Sequence, residues 1–153
     1  MKDIDTLLKE VKKIHMIGIG GSGMCPIAEI LHKEGYELTG SDNNESDPLQ
    51  RVRNMGVDVK MGHSPDNIGD AEMVIHTAAL LKDNVELLAA RERGIPTFER
   101  SEILGAISRL YGNCIGVCGT HGKTTTSSML TQVLLTAGMD PSAVIGGKLP
   151  LID

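Results

Sequence analysis

Apolar residues fall in two alternating rhythms along the chain, short unbroken runs and runs spaced at three and four. "IHMIGIG" (14–20) predicts a buried strand ending in glycines. Ile27, Ile30 and Leu31 then recur at helical spacing up to Gly35, and Pro26 suits the first turn, where its missing N–H has no intrahelical partner. "YELTGSD" predicts a second strand, and "DPLQRVRNMG" a short helix with Asp47 as cap and Pro48 at its first position. "VDVKMG" and "AEMVIHTAA" predict two further strands, "DNVELLAARERG" a helix stopped by Gly94, "IPTF" a short strand, and "SEILGAISRLYG" a helix capped by Ser101. "MKDIDTLLKEVKK" reads as a charged amphipathic helix in front. Strand alternating with helix implies parallel strands joined by right-handed crossovers, hence an α/β doubly wound sheet over residues 1–112.

Near residue 113 the pattern restarts. "NCIGVCG" is expected as a strand, "THG" as a loop, "KTTTSSMLTQVLLTAG" as a helix and "SAVIGG" as a second strand. This βα(β) unit over 113–153 is smaller than a domain that buries an adequate core alone, so the sequence reads as the front of a longer protein. The apolar face of its helix, with Met129, Leu130, Val133 and Leu134, is expected to be covered by the first unit or by a second copy, making a homodimer.

Composition narrows the picture. Of 153 residues, 41% are hydrophobic but only 2% aromatic, which favours an α/β layered core over an all-β one. A net charge of −5 with dispersed basic residues leaves no footprint for nucleic acid or an anionic membrane. No apolar run reaches the ~18 residues of a membrane span, so a cytoplasmic protein is expected. Three cysteines, Cys25, Cys114 and Cys118, make neither an even framework nor a CxxC pair and fit a reducing compartment; on a strand, Cys114 and Cys118 share one face and read as buried apolar residues.

Two glycine loops carry the candidate chemistry. In "GIGGSG", Gly18, Gly20 and Gly23 keep the G-x-G-x-x-G spacing between strand and helix, Rossmann-like: the first permits a tight turn, the second lets a diphosphate approach the backbone, the third lets helix and strand pack. Asp42, 19 residues beyond Gly23, lies where a carboxylate accepts from a ribose or a base. In "GTHGKTT", Gly119, Thr120, His121, Gly122, Lys123, Thr124 and Thr125 form a P-loop-like turn, where amides cradle phosphates, the Lys123 ammonium reaches the outer ones, and the Thr124 hydroxyl ligates Mg²⁺. Lys123 is the only formally charged side chain between Arg109 and Asp140, and a cation at a helix start opposes the helix dipole unless an anion is bound. The loop departs from G-x-x-x-x-G-K-[ST] because Val117 occupies the position of the first glycine.

"HMIGIGGSGM", "GSD", "GH" followed by "N", "FERSEIL" and "GTHGKTTT" together resemble the Mur ligases across nearly the whole chain. The resemblance implies a cytoplasmic enzyme of peptidoglycan synthesis in which ATP phosphorylates the lactyl carboxylate of UDP-N-acetylmuramate and L-alanine attacks the acyl phosphate. It implies a UDP-sugar-binding first unit and the start of a P-loop ATPase domain, with ATP and Mg²⁺ as cofactors. Gly18, Gly20, Gly21, Ser22 and Gly23 are assigned to the diphosphate and Asp42 to the uridine. His63, Thr77 with Ala78, and Arg100 are assigned to the sugar side, and 119–125 to ATP, with Lys123 and Thr124 catalytic. The carboxylates completing the metal site and the amino-acid site are expected beyond Asp153, so this chain alone is expected to bind the UDP-sugar weakly and turn nothing over. An NAD-dependent oxidoreductase accounts for the first loop and Asp42 but not for "GTHGKTTT"; a non-enzymatic nucleotide sensor needs no second loop. A relative that recycles murein peptides onto the same sugar is the nearer alternative.

Overall fold

The computed structural model describes residues 3–146. Five strands, β1 (Lys13–Ile17), β2 (Glu37–Asp42), β3 (Asp58–Met61), β4 (Met73–His76) and β5 (Thr97–Glu99), form one sheet in the order β3-β2-β1-β4-β5. Every neighbouring pair is parallel. The helices are α1 (Ile4–Glu10), α2 (Cys25–Lys33), α3 (Asp47–Asn54), α4 (Val85–Glu92), α5 (Arg100–Leu110) and α6 (Lys123–Thr136), with a 3-10 turn at Pro65–Ile68 before β4. The doubly wound α/β reading therefore holds through residue 110.

Strand parity divides the core. Ile14 and Met16 of β1 and Met73 and Ile75 of β4 face a large apolar cluster built with α1, α2, α3 and α5. Ile17 and Val74 face the opposite side, packed with Ile68 and with Leu87, Ala89 and Ala90 of α4. Alternate residues of a strand point to opposite faces, so His15 lies on the α4 side with Ile17. Tertiary ties hold the edge: Arg109 of α5 makes a bidentate pair with Asp5 of α1, Nε–Oδ2 3.0 Å and Nη2–Oδ1 2.8 Å.

Helix boundaries correct two expected caps. Ser46, not Asp47, caps α3, its hydroxyl accepting from the Leu49 amide at 3.2 Å. Glu99, not Ser101, caps α5 in a reciprocal capping box with Glu102. In each case a residue upstream of the expected one supplies the acceptor for the free amides of the first turn. Gly35 and Gly94 end their helices as expected, with φ of 93° and 69°.

The second unit departs from expectation more. α6 forms, but residues 114–119 and 142–146 are not strands, and Gly147 of the second expected strand lies outside the described residues. A parallel strand exists only by pairing, and neither segment has a neighbouring strand among the described residues. With no strand to bury them, Cys114 and Cys118 are exposed, contrary to the apolar reading, whereas Cys25 is buried in α2. The apolar face of α6 is only partly covered: Leu130 and Leu134 are half-buried, but Met129 and Val133 stay 65% and 63% exposed.

Candidate functional site

All the candidates from the first unit lie at the carboxyl ends of the sheet strands, the edge on which open α/β sheets bind ligands. Gly18 follows β1, Asp42 ends β2, His63 follows β3, Thr77 and Ala78 follow β4, and Arg100 follows β5. A parallel sheet puts all strand ends of one polarity on one edge, so residues far apart in sequence meet.

The glycine loop is fixed by contacts that leave no room for side chains. Gly18 takes φ 77°, and a Cβ there would meet Thr77 Cγ2 at 2.8 Å. At Gly20 it would meet Leu49 Cβ at 2.9 Å and Asp42 Oδ2 at 3.0 Å. Asp42 accepts the Gly20 amide at 2.9 Å and the Asn44 amide at 3.0 Å, and Ser46 donates to the Gly20 carbonyl at 3.1 Å. Asp42 thus pins the loop. Its two oxygens together offer about four acceptor sites, which leaves capacity for a ligand hydroxyl.

Further along the loop the backbone is open. The Gly21 amide turns back onto the Gly18 carbonyl at 3.1 Å, but those of Ser22 and Gly23 donate to nothing among the described residues. Arg100 lies against this point: Cδ and Nε are 3.3 Å, and Cζ 3.4 Å, from where a Gly23 Cβ would stand. Its half-buried guanidinium makes no hydrogen bond or ion pair among the described residues. Two free amides beside an unpaired guanidinium at the start of α2 make a cradle for an anion.

His63 belongs to a second group of residues at this edge. Its Nδ1 lies 3.3 Å from Glu86 Oε2 and 3.2 Å from Ser41 Oγ. Glu86, in the first turn of α4, is fully buried and collects five donors. On Oε2 these are Ser41 Oγ at 2.5 Å, His63 Nδ1, and His15 Nε2 at 3.5 Å. On Oε1 they are Asn67 Nδ2 at 2.6 Å and the Ser64 amide at 3.2 Å. Burial alone pushes a carboxyl's pKa up, but donation from His15, Ser41, Asn67 and Ser64 outweighs it and brings Glu86 from 4.5 down to about 2. Of this hub, the expected site residues include only His63 and omit Glu86, Ser41, His15, Ser64 and Asn67. The available signals are a histidine inside a buried strand and a glutamate at the start of an apolar helix.

In the second loop Gly122 takes φ 78° at the start of α6. Lys123 Nζ folds back onto the carbonyls of Gly119 at 2.5 Å and Thr120 at 3.4 Å. The amides of Lys123, Thr124 and Thr125 have no acceptor among the described residues; the first to find one is that of Thr126, on Gly122. The ammonium therefore holds neutral oxygens of its own loop, and the helix start presents unpaired amides beside it. His121 is exposed and makes no hydrogen bond among the described residues.

A family model described as Mur ligase family, catalytic domain, matches residues 13–111. The chain belongs to the Mur ligase family. It is 50% identical over 141 residues, 92% of its length, to a UDP-N-acetylmuramate--L-alanine ligase of Sulfurihydrogenibium sp., of which it covers 31%. Among solved structures, the UDP-N-acetylmuramate-alanine ligase of Thermotoga maritima superposes with a TM-score of 0.87 at 33% identity, covering 92% of this chain and 33% of that one. The UDP-N-acetylmuramate:L-alanyl-gamma-D-glutamyl-meso-diaminopimelate ligase of Neisseria meningitides superposes at 0.84 with 32% identity, covering 94% and 45%. The chain thus spans about a third of the length of the curated relative it matches.

Proposed function

We propose that this Mur ligase chain carries the UDP-sugar site and the ATP phosphate loop of a cytoplasmic enzyme that joins L-alanine to the lactyl carboxylate of UDP-N-acetylmuramate. The observation that carries the reading is the anion cradle of the first loop: free amides at Ser22 and Gly23 beside the unpaired guanidinium of Arg100, on a loop packed against Asp42 and Thr77. Residues 1–112 form the sugar-nucleotide unit and 113–153 open the ATPase unit. The diphosphate sits on Gly21 to Gly23 with Arg100 as counter-charge; Asp42 accepts from the uridine; Thr77, Ala78 and His63 line the crevice wall. The name of the Sulfurihydrogenibium relative supports alanine as the amino acid over the peptide named for the Neisseria protein.

A carboxylate resists amine attack because its leaving group is poor, and transfer of a phosphoryl group to it supplies a better one. The second loop suits that task. Its free amides at 123–125 cradle the outer phosphates, and Lys123 exchanges its carbonyl contacts for phosphate oxygens, stabilising charge as it moves toward the carboxylate. The Thr124 hydroxyl, exposed in the first turn, would hold one position of a Mg²⁺ ion. Among the described residues no cluster of three or more His, Cys, Asp or Glu exists that could hold a metal ion. The ion supplies Lewis-acid neutralisation of phosphate charge when bound. Among the described residues no helix is long and apolar enough to cross a membrane.

Calorimetry of the chain against UDP-N-acetylmuramate, UDP and NADH tests the reading. Binding of both uridine nucleotides, lost in Arg100→Ala, is expected; preference for NADH would sink it and return the oxidoreductase alternative.

A further inference from the structure

Counting protons around Glu86 fixes the state of its neighbours. An ionised carboxylate only accepts hydrogen bonds, so Ser41 spends its single hydroxyl proton on Glu86 at 2.5 Å. The Ser41 oxygen 3.2 Å from His63 Nδ1 must then be an acceptor, and Nδ1 must carry the proton, shared between Ser41 Oγ and Glu86 Oε2. The low pKa of Glu86, about 2, keeps the carboxylate ionised through the range in which proteins are handled. The second ring nitrogen, Nε2, bonds to nothing among the described residues, and the His63 side chain retains 16% exposure. Behind the hub stands His15, whose Nε2 can donate to Glu86 while its Nδ1 accepts the Thr39 hydroxyl at 2.8 Å. Asn67 ties the arrangement to the β3 loop through the Gly62 carbonyl at 3.1 Å, and the Gly62 amide in turn bonds the Asp42 carbonyl at 2.8 Å.

We propose that Glu86 is a positioning residue that acts through His63. It holds the ring with Nδ1–H turned inward, so that Nε2 is the nitrogen the ring offers the ligand, a bare lone pair whenever the ring is neutral. An acceptor at that place recognises a donor on the ligand, a ribose hydroxyl or the imide N–H of uracil, and does not recognise a phosphate oxygen. Arg100 and the loop amides read the diphosphate, and His63 reads the nucleoside. This rests on the UDP-sugar reading of the crevice.

Two measurements test it on the chain at pH 8. Nitrogen-15 spectra of the imidazoles in the ligand-free protein should show His63 as the Nδ1–H tautomer, the less common form in free histidine, and Glu86→Gln should shift it toward Nε2–H. UDP affinity should fall roughly tenfold in Glu86→Gln and in His63→Ala, the worth of one hydrogen bond. In the His63→Ala background, Glu86→Gln should add less than about twofold, because contacts that act through one another are not additive. Should Glu86→Gln fail to fold, Glu86→Asp, whose carboxylate is one methylene short of His63 Nδ1, carries both readouts. An Nε2–H tautomer in the unmodified chain, or additive losses in the double variant, overturns the role of Glu86 alone. Absence of UDP binding by the unmodified chain overturns the ligand reading and takes this proposal with it.

Discussion

Glu86→Gln should change how the stability of the α/β unit depends on pH. Folded Glu86 titrates at about 2 against an ordinary 4.5. The unfolded chain therefore binds the proton first as pH falls. A depressed folded pKa contributes stability that is fully present above the unfolded value, and that stability drains as pH drops from about 4.5 toward 2. The gap corresponds to roughly 3 kcal/mol at ~1.4 kcal/mol per unit, a large share of the ~5–15 kcal/mol typical of a domain. Glutamine keeps the shape but cannot titrate, and its amide N–H₂ meets donors instead of a carboxylate. The variant should thus be several kcal/mol less stable at pH 7, of order 3–5 kcal/mol, as when a buried charged hub loses its partner. Urea melts of both proteins at pH 7, 5, 4, 3 and 2 decide the matter, since every other carboxyl cancels in the difference. The stability difference between the two should shrink by roughly 3 kcal/mol between pH 5 and pH 2. Parallel curves over that window would refute the claim that the ionised carboxylate is what the five donors hold.

Three further outcomes are expected. Gly20→Val places a branched side chain where Leu49 Cβ and Asp42 Oδ2 already stand 2.9 and 3.0 Å from a Cβ, so it should cost ~1–3 kcal/mol in urea melts and abolish UDP binding in calorimetry. Lys123→Ala removes an exposed side chain and should leave the unfolding midpoint within ~0.5 kcal/mol of the parent, while any affinity for inorganic triphosphate falls at least about tenfold. Burial, reinforced by the nearby charge of Glu29, pushes the Cys25 thiol up to about 12, so iodoacetamide on the native chain should add to Cys114 and Cys118 but not to Cys25, and a third adduct by mass spectrometry would contradict the packing of α2.

What was legible in the sequence is what local rules govern. Short apolar runs located the inner strands because β1 and β4 are buried on both faces, as in Ile14, Met16 and Ile17, whereas the largely exposed edge strand β3 was readable only from the valines of "VDVKMG" ahead of a glycine. Caps slipped because several hydroxyl or carboxylate residues crowd each helix start, and only backbone geometry chooses among Ser46, Asp47, Glu99 and Ser101. The strands expected at 113–119 and 142–147 fail over the described residues for a different reason: composition describes fitness for a sheet, whereas a strand needs a partner edge, and β3 and β5 end this sheet without admitting them. α6, whose ladder of backbone hydrogen bonds is local, forms regardless.

The site divides along the same line. A glycine spacing encodes a backbone shape, so both loops could be read from a few consecutive letters, and Gly18 and Gly122 take the positive φ that the spacing requires. A polar hub drawn from β1, β2, the loop after β3 and α4 has no such local signature, since Glu86 lies 71 residues from His15. Yet parity makes even this hub partly readable. His15, Thr39 and Ser41 occupy the same face of two adjacent strands, in register at His15 with Thr39 and Ile17 with Ser41. Buried polar groups must be satisfied, so a histidine and two hydroxyls on the face covered by an apolar helix demand an acceptor from that helix. α4 carries two acidic residues; Glu92 is exposed, and Glu86, in the first turn where the helix dipole favours a negative charge, is turned inward to meet them.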